Sequence, residues 1–331
     1  MHRDVPHPDF LPTASWERLR LRAGLLRRLR EFFDGRGFLE VETPLLSADT
    51  VVDRHLDPFA VEVGSPVCRE GPGRTFWLQT SPEFGMKRLL AAGGRAIYQV
   101  TRAFRRDEQG PLHNPEFTMV EWYRVRDGMA EGMQLLSDLC DALLARGPAE
   151  LISFRQAFQR HAGVDPLTAD ADQLASVVQA AGIVPPESLL AEDRDGWLDL
   201  LLVERVQPHL GQQRPTIVYD YPASQAALAQ VRADDPPVAE RFELYVSGIE
   251  LANGYHELVD PAVLRQRNAA NNAKRRADGK QPLPEESRLL AAMEAGLPSA
   301  TGVAVGFDRV VMLAASASRL DEVMAFPFDR A

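Results

Sequence analysis

The 331-residue sequence has only two cysteines, Cys68 and Cys140, and no His/Cys cluster at metal-ligand spacing. This scarcity argues against a disulfide scaffold or a structural zinc site and fits a reducing compartment. No apolar run approaches the roughly 18 residues that a membrane span requires. The first ten residues contain prolines and aspartates where a signal peptide needs an apolar core. The sequence therefore predicts a soluble cytoplasmic protein with no membrane partner.

Positive charge is in the minority, with 37 Lys and Arg against 47 Asp and Glu and a net charge of −10. Because nucleic-acid binding needs clustered basic residues, this balance weakens a general nucleic-acid function. The arginine-rich segment 18–30 is an exception, and its apolar residues follow helical spacing. We interpret it as an amphipathic helix with a solvated basic face.

Helix and strand patterns alternate along the chain. Helices are predicted after the N-cap Ser15 as far as Asp34, from Ser81 to Gly94, and around 268–280. Strand patterns occupy 38–43 (ending at Pro44), 57–63, 75–80, 96–125 (a long hairpin with its loop at 105–115), 215–221 and 241–258, and a Gly/Pro-rich loop covers 64–74. Residues 129–210 are mostly helical in pattern, with breaks at 165–166 and 185–186. We expect one α+β domain over 1–331, with 129–210 as an insertion.

Three segments, in order, resemble the signature motifs of class II aminoacyl-tRNA synthetases. The first helix with GFLEVETPLL is similar to motif 1, FRRDEQGPLHNPEFTMVEWYR to motif 2, and GVAVGFDR to motif 3. TSPEFGMKRLL and GIELANGYHEL extend the similarity to the lysyl-type catalytic core, from about Trp16 to the C-terminus. The resemblance implies an antiparallel sheet flanked by helices, a homodimer formed through motif 1, and ATP as co-substrate.

Adenylate formation joins a carboxylate to the α-phosphate of ATP, so negative charge accumulates at one phosphorus. This chemistry needs positioning and stabilisation by arginine and Mg²⁺ rather than a protein nucleophile. The resemblance makes Arg105 and Arg309 the catalytic residues, at the α-phosphate and γ-phosphate respectively. It also assigns to ATP the residues Arg106, Asp107, His113 (facing the triphosphate), Asn114, Phe117 (stacked on adenine), Glu250, Leu251 and Gly306. Asp107 replaces the usual glutamate, so we expect its adenine contact to be longer or taken over by Glu108.

Carboxylates supply the other predicted contacts. Glu243 and Glu250 can meet across a Ser-Gly turn, and hard oxygen ligands that bridge to phosphates hold Mg²⁺. The resemblance places metal carboxylates at both positions; two solvated strand glutamates are the alternative. Acids and a phenol at the substrate end suit a substrate with more than one amine. By resemblance the substrate-binding residues are Ser81, Pro82, Glu83, Glu121, Tyr123, Asn253, Glu257 and Ala304, with Glu257 and Tyr123 at the distal ammonium of lysine.

The residues before Trp16 are too few for the OB-fold that grips the anticodon in a lysyl-tRNA synthetase. With the negative net charge, this predicts that tRNA is not a partner. Such a core resembles the synthetase paralogues that modify translation elongation factor P. That resemblance implies transfer of (R)-β-lysine, activated by ATP, to the ε-amine of a lysine on the factor. The alternatives are a small lysyl-type synthetase acting on tRNA and a non-catalytic subunit that senses an amino acid.

Motif 3 has an alanine, Ala304, where lysyl-type enzymes typically have a glycine. The added methyl group removes room near the carboxylate end of the substrate. We expect it to crowd an amino group on the α-carbon and to favour one on the β-carbon. The alternative is that Ala304 only packs against the sheet. No side chain is an obvious base for the acceptor amine.

Overall fold

The computed structural model describes residues 10–64 and 74–331. Within these ranges the α-helices are α1 (Trp16–Asp34), α2 (Glu83–Ala91), α3 (Met129–Leu144), α4 (Phe154–His161), α5 (Ala171–Ala180), α6 (Arg194–Leu201), α7 (Pro261–Ala277), α8 (Arg288–Gly296) and α9 (Phe307–Ala314). The strands are β1 (Leu39–Glu40), β2 (Leu46–Ser47), β3 (Ala60–Val63), β4 (Arg74–Leu78), β5 (Ala96–Phe104), β6 (Glu116–Val125), β7 (Glu150–Ser153), β8 (Thr216–Pro222), β9 (Val231–Arg232), β10 (Val238–Val246), β11 (Ile249–His256) and β12 (Ala300–Gly306). None of the helices in this part of the chain is long and apolar enough to cross a membrane.

The described strands form a large sheet of nine strands and a small sheet of three. The large sheet has the order β1-β5-β6-β12-β11-β10-β8-β7, with β9 paired to β10, and the small sheet has the order β2-β4-β3. Neighbours in the large sheet are antiparallel, except that β1 is parallel to β5 and β7 is parallel to β8. Helices flank this sheet, which confirms the predicted α+β class with an antiparallel sheet.

Helix α1 begins and ends where the sequence predicts. The Ser15 side chain accepts a hydrogen bond from the backbone N–H of Arg18 at 3.3 Å, and Gly35 follows the last turn. The buried apolar side chains of α1 belong to the main hydrophobic core, namely Leu25, Leu29, Phe32 and Phe33. The expected solvated basic face is only partly present, because Arg22 turns inward and forms an ion pair with the buried Asp308 at 2.6 Å. Helix α1 is thereby tied to the motif 3 segment.

The strand predictions hold, except that one predicted strand is shortened and the short strands β2, β7 and β9 were not predicted. The strand predicted to end at Pro44 is reduced to the two-residue β1, and β2 follows that proline. The predicted strands at 57–63 and 75–80 are confirmed as β3 and β4, which pair in antiparallel fashion. Most of the predicted loop between them, including Cys68, lies outside the described residues, as do residues 1–9.

The middle segment 129–210 has the predicted helices and the two predicted breaks. It also contains β7, which the sequence reasoning missed, and β7 extends the large sheet by pairing with β8. Phe154 and Phe158 of α4 pack with Tyr221 of β8 in a second core. The single domain over 1–331 and the insertion at 129–210 stay predictions, which this continuous sheet supports.

Candidate functional site

A cavity of about 620 Å³ lies against the central strands β6, β11 and β12, with α2, α6, α7 and the segment 51–56 around it. It brings together most of the residues that the sequence nominates, from motifs 2 and 3 and from the two segments that extend the similarity. These are Ser81, Glu83, Arg105, His113, Asn114, Phe117, Glu121, Tyr123, Glu250, Leu251, Asn253, Glu257, Ala304, Gly306 and Arg309. The nominated residues that do not line it are Pro82, Arg106, Asp107 and Glu243.

The register of the sheet explains why these residues converge. Ala304 of β12 stands opposite Glu121 on one side and Asn253 on the other. Two positions away, Gly302 stands opposite Tyr123 and Tyr255. Because side chains on a strand alternate between faces, both rows lie on the same face of the sheet. Three strands thus form the floor of the cavity.

Gly302 makes this floor possible, although the sequence reasoning did not nominate it. A Cβ atom built at position 302 would overlap the Tyr123 ring and the Glu257 carboxylate. A side chain there would displace two of the predicted substrate residues. A glycine inside a strand was the available signal, because such a glycine often marks a close approach of other groups.

Glu121 and Tyr123 form the buried centre of the acidic end of the cavity. The Tyr123 hydroxyl donates a hydrogen bond to Glu121 Oε1 at 2.6 Å. The other oxygen, Oε2, is buried and has no hydrogen-bond partner among the described residues. Burial, together with the nearby Glu83, raises the pKa of Glu121 to about 8. An unpaired buried carboxylate is costly, so this oxygen is suited to receive an ammonium group.

Lys87 is the unexpected member of this end. Its side chain is 2% exposed, and its Nζ contacts the carboxylate of Glu83 and lies 2.5 Å from Oε2 of Glu257. Burial disfavours the charged ammonium, but Glu257 and Glu83 outweigh that effect and raise the pKa of Lys87. Burial also raises the pKa of Glu257, to about 8, although Lys87 opposes this shift. The acidic end therefore already contains one fixed positive charge.

Arg105 occupies the opposite end of the cavity, on the loop of the β5–β6 hairpin. Its guanidinium lies over the Phe117 ring, with 5.1 Å between Cζ and the ring centroid, and Nη1 is 3.7 Å from Glu108. Its Nε is buried without a hydrogen-bond partner in the described part of the chain. A guanidinium whose donors are only partly used can bind carboxylate and phosphate oxygens together.

Arg309 is held in place by three contacts. It donates to the backbone carbonyl of Leu112 at 3.2 Å and to that of Glu250 at 2.8 Å, and its Nη2 lies 2.7 Å from His113 Nε2. Burial and the charge of Arg309 lower the pKa of His113. A neutral imidazole can accept a hydrogen bond from the Arg309 guanidinium, so the two side chains can lie in contact without charge repulsion.

Glu243 and Glu250 come together as predicted, on the β10–β11 hairpin. Its two turn residues, Ser247 and Gly248, both have positive φ, as a type I′ turn requires. Burial and the charge of Glu243 raise the pKa of Glu250 to about 7. No cluster of three or more metal-ligating side chains occurs in residues 10–64 and 74–331. Two hard carboxylates still fit Mg²⁺, because this ion takes its remaining ligands from phosphates and water.

The two carboxylates differ in their surroundings. The Glu243 carboxylate accepts hydrogen bonds from Tyr221 at 2.6 Å and from Tyr245, and it contacts Arg241. Glu243 itself does not line the cavity, whereas Glu250 does. Glu250 therefore borders the cavity, whereas the Glu243 carboxylate is engaged by neighbouring side chains.

Three of the residues nominated for ATP differ from the expected arrangement. Arg106 and Asp107 pair with each other at 3.1 Å, and their side chains are 56% and 74% exposed. Asp107 has φ of 69°, so the backbone turns its carboxylate outward, whereas Glu108 lines the cavity. Asn114 donates to the Glu116 carbonyl and accepts from the Phe328 N–H, so its amide groups are already engaged.

Further cavity residues come from segments that carry no motif. Arg54 lines the cavity and bridges Asp193, just before α6, at 2.5 Å and Asp278, just after α7, at 2.7 Å. Asp199 of α6 also lines the cavity. Nothing in the local sequence signals these contacts, because they join positions more than a hundred residues apart.

Comparison with known proteins identifies the family of this chain. Residues 6–330 match the family model described as tRNA synthetases class II (D, K and N). Among curated relatives, proteins named elongation factor P–(R)-β-lysine ligase from Edwardsiella ictaluri, Salmonella arizonae and Klebsiella pneumoniae are 49%, 48% and 49% identical. These alignments cover 98%, 97% and 97% of this chain and 98% of each relative. The chain belongs to the class II tRNA synthetase family (D, K and N).

Proposed function

We propose that this protein is an ATP-dependent ligase that activates (R)-β-lysine and transfers the β-lysyl group to the ε-amine of a lysine on translation elongation factor P. Relatives with 48–49% identity over nearly their whole length carry this activity in their names. The observation that carries the proposal is the division of one cavity into an acidic end, with Glu121 and Glu257, and an arginine end, with Arg105 and Arg309. A diamino acid and ATP are complementary to these two ends.

The acidic end binds and orients the amino acid. Glu121 offers its unpaired Oε2 to an ammonium group, and the Tyr123 hydroxyl fixes the orientation of that carboxylate. With its amines held there, the substrate carboxylate extends along the β12 floor past Ala304 towards Arg105. This positioning converts an encounter of two reactants into a reaction within one complex.

In the first step, a carboxylate oxygen of the amino acid attacks the α-phosphorus of ATP, and the bond from that phosphorus to the bridging oxygen of pyrophosphate breaks. Arg105 stabilises the charge that accumulates at the α-phosphate, and Arg309, held by backbone carbonyls and His113, orients the departing phosphates. Glu250 and Glu243 would hold Mg²⁺, which neutralises phosphate charge when it is bound.

In the second step, the ε-amine of the acceptor lysine attacks the carbonyl carbon of the β-lysyl-adenylate. An amide bond forms, the amine loses a proton, and AMP leaves with the electrons of the carbon–oxygen bond. The acylphosphate bond is reactive, so positioning of the amine supplies most of what the step needs.

We also propose that the protein is a homodimer formed through the motif 1 region and that it acts in the cytoplasm, where translation takes place, without tRNA as acceptor. Exposed apolar side chains in and beside motif 1 support the dimer, namely Trp16, Leu39, Leu45 and Leu46. Burying such side chains drives association. Sedimentation of the wild type and of Leu39→Asp tests this, because the variant should shift towards the monomer.

Intact-mass measurement of elongation factor P tests the activity. Incubation with this protein, ATP and (R)-β-lysine should add one lysyl residue, and omission of ATP should abolish the addition. An acceptor with Arg in place of the modified lysine is the matched control. An unmodified factor, together with salt-sensitive charging of tRNA, would instead support the small-synthetase alternative.

A further inference from the structure

Helix α2 carries two charged residues into the acidic end of the cavity, one turn apart. Glu83 is its first residue and Lys87 follows four positions later, which places both on one helix face. Arg88, the next residue, is exposed. Lysine is seldom fully buried unless it is paired. An exposed Glu–Lys pair on a helix surface would need no special explanation, but the burial of Lys87 does.

The contacts of Lys87 supply one. Its Nζ reaches Glu83 within α2 and Glu257 at the end of the β11 segment, and both carboxylates are predicted to bind the substrate amines. A third acid, Glu121 of β6, lies beside them and keeps one oxygen unpaired. Fully ionised, the three carboxylates and the single ammonium leave two negative charges. A lysine-like amino acid carries two ammonium groups.

We infer that Lys87 is a resident ammonium that sets the net charge of this pocket to match a substrate with two ammonium groups. The inference rests on the proposed function, since it concerns the same amine pocket. Lys87 is a positioning residue, because it acts by orienting and neutralising Glu83 and Glu257 rather than through the reacting carboxylate. Without it, three close carboxylates would repel one another and take up a proton.

The titratable groups that face the pocket come from three elements. They are Glu83 and Lys87 of α2, Glu121 and Tyr123 of β6, and Tyr255 and Glu257 in and after β11. Lys87 opposes the upward shifts in the pKa values of Glu121 and Glu257, whereas Glu83 reinforces them. Loss of the ammonium should therefore raise these pKa values further, and loss of Glu83 should lower them.

The test is the pH dependence of the KM for (R)-β-lysine in ATP–pyrophosphate exchange. In Lys87→Met, the pH above which this KM levels off should move upward by about one unit. In Arg88→Met, the matched change on the exposed face of the same helix, it should stay at the wild-type value. An unchanged inflection in Lys87→Met, with a normal KM for ATP and a normal melting temperature, would overturn the inference.

A second variant covers the case in which Lys87→Met does not fold. Lys87→Met/Glu83→Gln removes one charge of each sign, so its inflection should return close to the wild-type pH, whereas Glu83→Gln alone should move it downward. If Glu83→Gln and the double variant have the same inflection, Lys87 has no such effect. A wild type that exchanges no pyrophosphate with β-lysine would contradict the proposed function itself, which separates the two failures.

Discussion

The two ends of the cavity handle charge in opposite ways. At the acidic end, buried carboxylates surround one buried ammonium, and Glu121 keeps an unpaired oxygen. At the arginine end, Arg309 is fixed by backbone carbonyls and a neutral histidine, and Arg105 lies over an aromatic ring. The acidic end is poised to gain positive charge. At the arginine end, Arg309 is held by uncharged groups, and the Glu108 carboxylate lies 3.7 Å from Arg105. This difference explains how one cavity holds a diamine and a polyphosphate in a fixed direction.

The largest effect is expected from a substitution at the arginine end of the cavity. Arg105→Ala should lose about 3 kcal/mol or more of transition-state stabilisation, because a preorganised donor at the α-phosphate is removed. ATP–pyrophosphate exchange measures this as a fall in kcat/KM of about a hundredfold or more. Arg106→Ala is the matched control, since that neighbour points away from the cavity and should have little effect. Near-normal exchange in Arg105→Ala would contradict the assignment of motif 2.

A smaller effect is expected at the acidic end. Glu121→Gln removes the carboxylate with the unpaired oxygen but keeps an acceptor for the Tyr123 hydroxyl. We expect a weaker interaction with the substrate ammonium by about 2 kcal/mol, or roughly a thirtyfold higher KM for β-lysine, with the KM for ATP unchanged. Glu116→Gln, at the exposed start of the same strand, should leave both KM values near normal. Equal rises in the two KM values would show that the ends are not separate.

The β12 floor of the cavity, which lies between the acidic end and the arginine end, offers a further test. Ala304 stands between Glu121 and Asn253, so its methyl group would lie beside the substrate carboxylate in the proposed complex. Ala304→Gly should raise kcat/KM for α-lysine relative to β-lysine by about tenfold, since one methyl group is worth roughly 1–3 kcal/mol of discrimination. Adenylation measured with both isomers gives the ratio, and an unchanged ratio would place the preference elsewhere in the pocket.

The smallest expected effect is the different pH dependence of the two ends. A carboxylate must be ionised to bind a cation, and the pKa values are about 8 for Glu121 and Glu257 and about 7 for Glu250. Affinity for the cation therefore rises with pH and levels off above each pKa. The KM for β-lysine should fall by about fivefold between pH 7 and 8. The Mg²⁺ concentration for half-maximal exchange should level off nearer pH 7. If this concentration and the KM for β-lysine had the same pH dependence, the two ends of the cavity would not titrate separately.

Sequence reasoning performed best where function rests on residues that are close together in the chain. The β5–β6 hairpin and the Glu243–Glu250 hairpin are local patterns, and both appear in the structure. The acids of the substrate pocket, Glu83, Glu121 and Glu257, were nominated by resemblance, and the fold brings them together from distant positions. Lys87 was missed because a Glu followed four positions later by a Lys is typical of an exposed helix face. The contact of Lys87 with Glu257, far along the chain, is not apparent from the local sequence.

The outward turn of Arg106 and Asp107 was also beyond the sequence. Asp107 has a positive φ, which aspartate adopts more often than most residues but which the local sequence does not specify. The short strand β7 was hidden for a different reason. Its four residues lie between two helices, and the pairing with β8 joins positions about 65 residues apart. Contacts of this kind arise from the assembled sheet rather than from local preference.

The hydrogen bond from the Phe328 N–H to Asn114 has a consequence for biosynthesis. It joins positions 214 residues apart, one of them in the ATP-side loop and the other close to residue 331. Contacts of such long sequence separation form late and carry a large loop-closure entropy. The loop that carries Asn114 therefore cannot gain its final brace until almost all of the sequence has left the ribosome. A nascent chain that lacks residue 328 would hold every predicted substrate carboxylate and still have an incompletely anchored nucleotide loop.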